Sequence, residues 1–216
     1  MRILVLGGTG AAGILVIEEA LAANHIVVIF ARSPEKLPAH ITSHRDVIVI
    51  KGELTDSETI SKAMEGVDAV LSVLGPSAWH PSDTPLAHGY RQVLEVMRQH
   101  SVKRLIALGT ASIKDKSDKF TWTYSAFVWT VALFAHNAYK DIVAVGDAIR
   151  ESEGVDWTIA RVPLLSNDEK KDWVAGYLGD GKINAVLSRA ALAAYMLQEL
   201  QNLEWVKKAP MITSPR

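Results

Sequence analysis

Residues 3–13, Ile3-Leu4-Val5-Leu6-Gly7-Gly8-Thr9-Gly10-Ala11-Ala12-Gly13, decide how the rest of the chain is read. Four apolar residues run without alternation, which suits a strand buried on both faces of a parallel sheet. Glycines then fall in two overlapping registers. Gly8, Gly10 and Gly13 make GxGxxG, and Gly7, Gly10 and Gly13 make GxxGxxG. Glycine there answers three needs: a tight turn, backbone approach to a pyrophosphate, and close packing of helix on strand. The N–H groups and positive end of the following helix then face the phosphates. Gly7, Thr9, Gly10, Ala11, Ala12 and Gly13 are the candidate cradle.

The same unit closes on a second apolar run, Ile26–Ala31, followed by Arg32 and Ser33. A site for NAD places Asp or Glu at this point, to bind the ribose 2′-hydroxyl. Arg32 instead offers a guanidinium to a 2′-phosphate, and Ser33 a hydroxyl, so NADP(H) is the expected cofactor. The plainer alternative is a solvated loop arginine.

Composition narrows the classes. With 216 residues, a single domain over 1–216 is expected, with small substrate-side elements near its C-terminal end. The absence of cysteine excludes thiol catalysis, iron–sulfur ligation and CxxC zinc sites, and fits a cytoplasmic location. The histidines lack ligand spacing, so no metal is expected. A net charge of −1 argues against nucleic acid held by bulk charge. An export signal is a poor reading of the first residues, because Glu18 and Glu19 fall just before the Ala20-x-Ala22 site and glycines break the apolar run. The apolar segment Ala126–Ala135 falls short of the ~20 residues that span a bilayer, and reads as a buried or pocket-lining helix.

Strands are expected at Ile3–Leu6, Ile26–Ala31, Val47–Lys51, Ala69–Val73, Arg104–Leu108 and Trp157–Arg161, with a short late pair at Ile183–Val186 and Met211–Thr213. Helices lie between them. Thr55-Asp56-Ser57-Glu58 has capping-box spacing, with Gly66 as the stop. Asp83 or Thr84 caps a helix with Pro85 at its first position and a stripe of Leu86, Tyr90, Val93, Leu94 and Met97. A helix from about Ala138 buries Ile142, Val145, Ala148 and Ile149 and stops at Gly154, and a last one starts near Ser188. Strand and helix in alternation predict an α/β fold: a doubly wound, mostly parallel sheet with helices on both faces.

With these residues in hand, the chain resembles the atypical short-chain dehydrogenase/reductases, nearest the NmrA-like and biliverdin/flavin-reductase-like branch. The resemblance rests on LVLGGTGAAG (4–13), FARSPEKL (30–37), KGELTD (51–56), DAVLSVLG (68–75), KRLIALGTASI (103–113), VDWTIARVPLL (155–165) and INAVLSRAALAAYMLQEL (183–200). It implies an NAD(P)-binding Rossmann fold and further cofactor positions: Glu53 and Leu54 beside adenine, Leu74 and Gly75 under the adenosine ribose, Thr110 to Ser112 beside nicotinamide, and Val162, Pro163 and Leu164 flanking it. Core packing explains Leu74 and Leu164 equally well.

The family's active site uses Ser and Tyr-x-x-x-Lys. Here Ser112 and Lys140 stand in suitable places, but His136 holds the tyrosine position. Imidazole has an unperturbed pKa near ~6.5 and donates a proton when charged. A flavin or quinone acceptor asks less, because its proton can come from water. Seven of the fifteen aromatic residues lie between Phe120 and Tyr139. Phe120, Trp122, Tyr124, Phe127 and Trp129, with Trp79 from the loop after the fourth strand, are the candidate wall for a flat apolar substrate. The same cluster would serve a homodimer interface. The expected function is NADPH-dependent reduction of a planar apolar carbonyl, quinone, enone or flavin-like compound. The alternatives are a non-catalytic NADP sensor of NmrA type and a cofactor-dependent isomerase or epimerase.

Overall fold

In the computed structural model, residues 1–76, 81–122, 133 and 135–215 are described. Ten strands and six α-helices alternate along them: β1 Arg2–Leu6, α1 Ala11–Ala22, β2 Ile26–Ala31, α2 Ala39–Thr42, β3 Val47–Lys51, α3 Ser57–Met64, β4 Ala69–Ser72, α4 Pro85–Gln99, β5 Arg104–Thr110, α5 His136–Glu151, β6 Asp156–Val162, β7 Leu164–Ser166, β8 Val174–Gly176, β9 Val186–Ser188, α6 Arg189–Asn202 and β10 Met211–Thr213. A 3₁₀ turn, Pro34–Lys36, follows β2.

Eight strands form one sheet in the order β3-β2-β1-β4-β5-β6-β10-β8. The pairings are parallel up to β10, and β8 closes the edge antiparallel. The unbroken apolar runs have their expected cause. Leu4, Leu6, Val28 and Val70 face the layer of α3, α4 and α5, while Ile3, Val5, Val27, Ile29 and Leu71 face that of α1, α2 and α6. Helix cover on both sides removes the need for a polar face. Among the described residues no helix is long and apolar enough to cross a membrane.

Several boundaries differ from the sequence-based expectation. The late strand falls at Val186–Ser188, not Ile183–Val186, because its register is fixed by parallel pairing with Leu164–Ser166, and Asp180 closes a turn onto the N–H of Lys182 just before Ile183. Strands β7 and β8 were not anticipated; at three residues each, only a distant partner defines them. Asp56, not Thr55, caps α3, its Oδ1 accepting from the Thr59 N–H at 3.1 Å. Thr84 occupies the N-cap of α4 at φ 51°, yet neither it nor Asp83 supplies a capping bond. Helix α5 begins at His136, before the expected Ala138.

At the amino ends of β5 and β6, Arg104 pairs with Glu199 of α6 at 2.8 Å and bonds Thr158 at 2.9 Å. This buried cluster stands at the opposite sheet edge from the glycine turn. It fastens α6 to the sheet.

Candidate functional site

The strand order reverses direction between β1 and β4, and at such a switch point the loops leaving the carboxyl ends of neighbouring strands diverge and open a crevice. A cleft of about 480 Å³ lies there. Four loops line it: Leu6, Gly7 and Thr9 after β1, Ala31 and Arg32 after β2, Gly52 to Thr55 after β3, and Leu74 and Gly75 after β4. Pro81 and the first turn of α4, Pro85 and Leu86, complete the wall. Seven of the expected cofactor residues thus meet in one place: Gly7, Thr9, Arg32, Glu53, Leu54, Leu74 and Gly75.

Gly7 sits at φ +81°, a conformation that side-chain-bearing residues rarely adopt. A Cβ on Gly13 would lie 2.2 Å from the Gly7 carbonyl oxygen. These two glycines are therefore demanded by the protein itself, and Gly8 is crowded too, its Cβ falling 2.9 Å from Ile17 and 3.0 Å from Ile29. Gly10 differs: its Cβ would meet only that same oxygen, at an ordinary 3.5 Å. The space over Gly10 is open. It is the N-cap of α1, has no side chain to cap with, and no acidic residue follows in the first turn. Only α3 and α6 carry a side-chain cap at the N-cap residue, from Asp56 and Ser188, among the described helices. An uncapped positive helix end beside an open cradle suits a pyrophosphate.

Arg32 is exposed at the rim of the cleft. It makes no hydrogen bond or ion pair among the described residues. Ser33 begins the 3₁₀ turn, its hydroxyl likewise uncommitted to a capping bond. Leu54 is seated by Gly89 of α4, where an added Cβ would come within 2.7 Å of it.

Farther along the sheet, Thr110 and Val162 are register partners at the ends of β5 and β6. Ser112 is buried, and its N–H donates to Thr110 Oγ1 at 3.3 Å. Pro163 is half-buried and Leu164 is 59% exposed, which excludes core packing for Leu164. His136 and Lys140 lie on the first turns of α5, both exposed. No hydrogen bond joins Ser112 to Lys140. A preassembled Ser–Lys pair is absent among the described residues. Phe120 and Trp122 form an edge-to-face pair with centroids 5.0 Å apart and stay largely exposed. Trp79, Tyr124, Phe127 and Trp129 lie outside the described residues.

Two carboxylates escaped the sequence reading. Asp118 holds the buried guanidinium of Arg161 through two bonds, at 2.6 and 2.7 Å, and accepts from the N–H groups of Asp115 and Leu178. Asp141 is fully buried and accepts from the N–H groups of Leu86 and Ala87. An arginine inside the apolar run Ile159–Val162 was the available signal for the first, since a buried charge needs a partner. Asp141 carried a weaker one: it follows Lys140 and precedes the buried Ile142.

Comparison with known proteins agrees with this geometry. The family described as NAD(P)H-binding matches residues 7–203. Isoflavone reductase homolog P3 of Arabidopsis thaliana is 34% identical over 96% of this chain and 67% of its own length. Other curated relatives match only in part, and the aligned stretch spans from 18% to 38% of their length. A short-chain dehydrogenase/reductase from Veillonella parvula, solved in complex with NADP, superposes with a TM-score of 0.82 at 18% identity, over 99% of this chain and 94% of that one. An anaerobilin reductase from Escherichia coli O157:H7 gives 0.78 at 17%, over 100% and 98%. At such identities the structures speak for the fold alone. The family match begins at the positive-φ residue of the glycine turn, Gly7, and ends just past α6, so it takes in all four cleft loops. The chain belongs to the NAD(P)H-binding family, a family of NAD(P)-dependent oxidoreductase-like proteins.

Proposed function

We propose that the protein is an NADPH-dependent oxidoreductase that reduces a planar, apolar carbonyl, quinone, enone or flavin-like small molecule. The observation that carries this reading is Arg32, a guanidinium without a protein partner among the described residues, at the cleft rim where an NAD site would hold an acid. Isoflavone reductase homolog P3 and the anaerobilin reductase are reductases by name, which supports the reaction class.

Reduced nicotinamide, when bound, supplies a hydride. In this reading the chain's own residues bind and orient. Gly7, Thr9, Gly10, Ala11, Ala12 and Gly13 hold the pyrophosphate, and Arg32 and Ser33 the 2′-phosphate. Glu53, Leu54, Leu74 and Gly75 hold the adenosine, while Thr110, Val162, Pro163 and Leu164 border the nicotinamide. Holding two reactants together removes much of the entropic barrier. Phe120 and Trp122 present apolar faces to a flat acceptor. Lys140 holds the nicotinamide ribose, and Ser112 and His136 stand on the substrate side. A histidine in the tyrosine position suits acceptors whose proton comes from water.

Titration with NADPH and NADH, followed by nicotinamide fluorescence, tests the reading. Micromolar NADPH binding with weak NADH is expected, and binding of neither overturns it. Arg32→Ala is expected to weaken NADPH by roughly ten- to a hundredfold, the worth of one charged hydrogen bond at about 1.5–3 kcal/mol, and to leave NADH nearly unchanged. A uniform loss would remove Arg32 from the 2′-phosphate. Lys140→Ala is expected to lower turnover while leaving the melting temperature within about 2 °C, since exposed substitutions stay near ±0.5 kcal/mol. Equal turnover in that variant would end its role.

His136 in the tyrosine position favours a second reading, a redox sensor that binds NADP without chemistry. Such a protein would discriminate oxidised from reduced nucleotide, and none of a panel of quinones, flavins and aromatic ketones would oxidise its bound NADPH.

A further inference from the structure

Helix α4 walls the cleft with Pro85 and Leu86, so where its first turn stands determines the shape of the site. The chain enters it through Thr84 at φ 51°, which offers no capping side chain. The early N–H groups of a helix need acceptors. Those of Leu86 and Ala87 find them in the two oxygens of Asp141, each at 2.8 Å, from a residue 55 positions away and 0% exposed.

A local Ser or Asp would cap α4 equally well and keep the bond within one element. Asp141 instead joins α4 to α5. A buried carboxylate needs several donors to offset its lost hydration, so this joint tolerates little displacement. Lys140 is the adjacent residue on α5, and His136 lies about one turn earlier. Beyond the apolar packing that α4 shares with α5, two contacts restrain it from the sheet side. Tyr90 and Ser72 share a buried hydrogen bond of 2.6 Å, and Leu54 fits against Gly89. Asp141 thus sets α5 against a wall already registered to the sheet.

We propose that Asp141 is a positioning residue for nucleotide binding: its carboxylate locks the cleft-lining turn of α4 to α5, and so fixes both the adenosine wall and the place of Lys140. This rests on the cleft being the nucleotide site. Because Asp141 acts through the wall and not on the 2′-phosphate, its loss should affect both nicotinamide nucleotides alike, unlike that of Arg32.

The test compares Asp141→Asn and Asp141→Ala with the wild type, at a temperature where circular dichroism reports each fully folded. The asparagine variant retains the shape, but one N–H of α4 then faces an amide NH₂. The expected result has two parts: amide hydrogen exchange quickens at Leu86 and Ala87, and NADPH and NADH affinities each fall roughly tenfold with their ratio unchanged. A purely structural residue would lower Tm and leave affinity and ratio alone. Wild-type affinity in Asp141→Asn, or unchanged exchange at Leu86 and Ala87, overturns the inference. Failure of the wild type to bind either nucleotide overturns the proposed function first, and this inference with it.

Discussion

Gly13→Ala is expected to abolish measurable NADPH binding and to lower the melting temperature, whereas Gly10→Ala should reduce binding with the fold intact. The difference follows from what each new methyl group meets. At position 13 it meets backbone: the Gly7 oxygen at 2.2 Å, the Gly8 Cα at 2.7 Å and the Gly7 carbonyl carbon at 2.9 Å. Backbone cannot rotate aside as a side chain does. Nor can Gly7 retreat, because the position of its own missing Cβ is 3.0 Å from the Leu74 nitrogen and the Val73 carbonyl carbon. Helix α1 must therefore rise off β1. Overpacking of this kind costs about 1–3 kcal/mol, and the cradle opens with it. At position 10 the nearest atom is 3.5 Å away and φ is −83°, so alanine fits the protein without strain. Its methyl group instead occupies the open space over the helix end. NADPH affinity is expected to fall at least tenfold there with Tm unchanged, since displaced phosphate forfeits about 1.5–3 kcal/mol per charged hydrogen bond. Fluorescence titration and thermal melts of the two variants decide it. Wild-type affinity in Gly10→Ala would mean that no phosphate approaches this turn.

Legibility in the sequence followed the range of the interactions. The six long strands and the glycine turn are written locally, in runs of β-branched residues and in glycines whose need arises from neighbours a few residues off. The four cleft loops were also within reach, because ligands bind at strand ends in such sheets. Structure that depends on distant partners was not readable. Strands β7, β8 and β9 exist through pairing with segments that carry no complementary pattern. The cap of α4 was expected from Asp83 or Thr84, the local candidates, and comes from Asp141. Leu164 was ambiguous because one side chain after a strand reads the same whether it packs inward or, as it does, faces solvent. Lys140 and Ser112 fall on the elements expected for them, yet they lack a mutual bond, since spacing along a chain does not specify how α5 is rotated against β5.

Asp118→Ala is expected to destabilise the protein by about 3–5 kcal/mol, the range for breaking a buried ion pair from one side. For a chain of this length that lowers Tm by roughly 10 °C. Arg161 is 0% exposed, and its Nε already lacks a partner. Without Asp118 its charge would keep only the Ile113 carbonyl oxygen at 3.0 Å. The segment carrying Asp118 would lose its tie to β6, and the Leu178 N–H its acceptor. The pair also predicts a pH dependence. Burial by itself would raise the Asp118 carboxyl, but the Arg161 hydrogen bond and charge, with the N–H groups of Asp115 and Leu178, outweigh it and hold the group below its ordinary 3.8. A folded-state pKa lower than the unfolded one adds stability above the unfolded value, and that stability is lost as pH falls through the folded value. Wild-type Tm should therefore drop more steeply than that of Asp118→Ala as pH is lowered from 5 toward about 2, and the two curves should converge. The double variant Asp118→Ala/Arg161→Met should recover much of the loss, because an apolar replacement leaves no buried charge behind. Parallel Tm curves, or a double variant no more stable than the single one, would mean that the bridge is not what holds the Asp118 segment to the sheet.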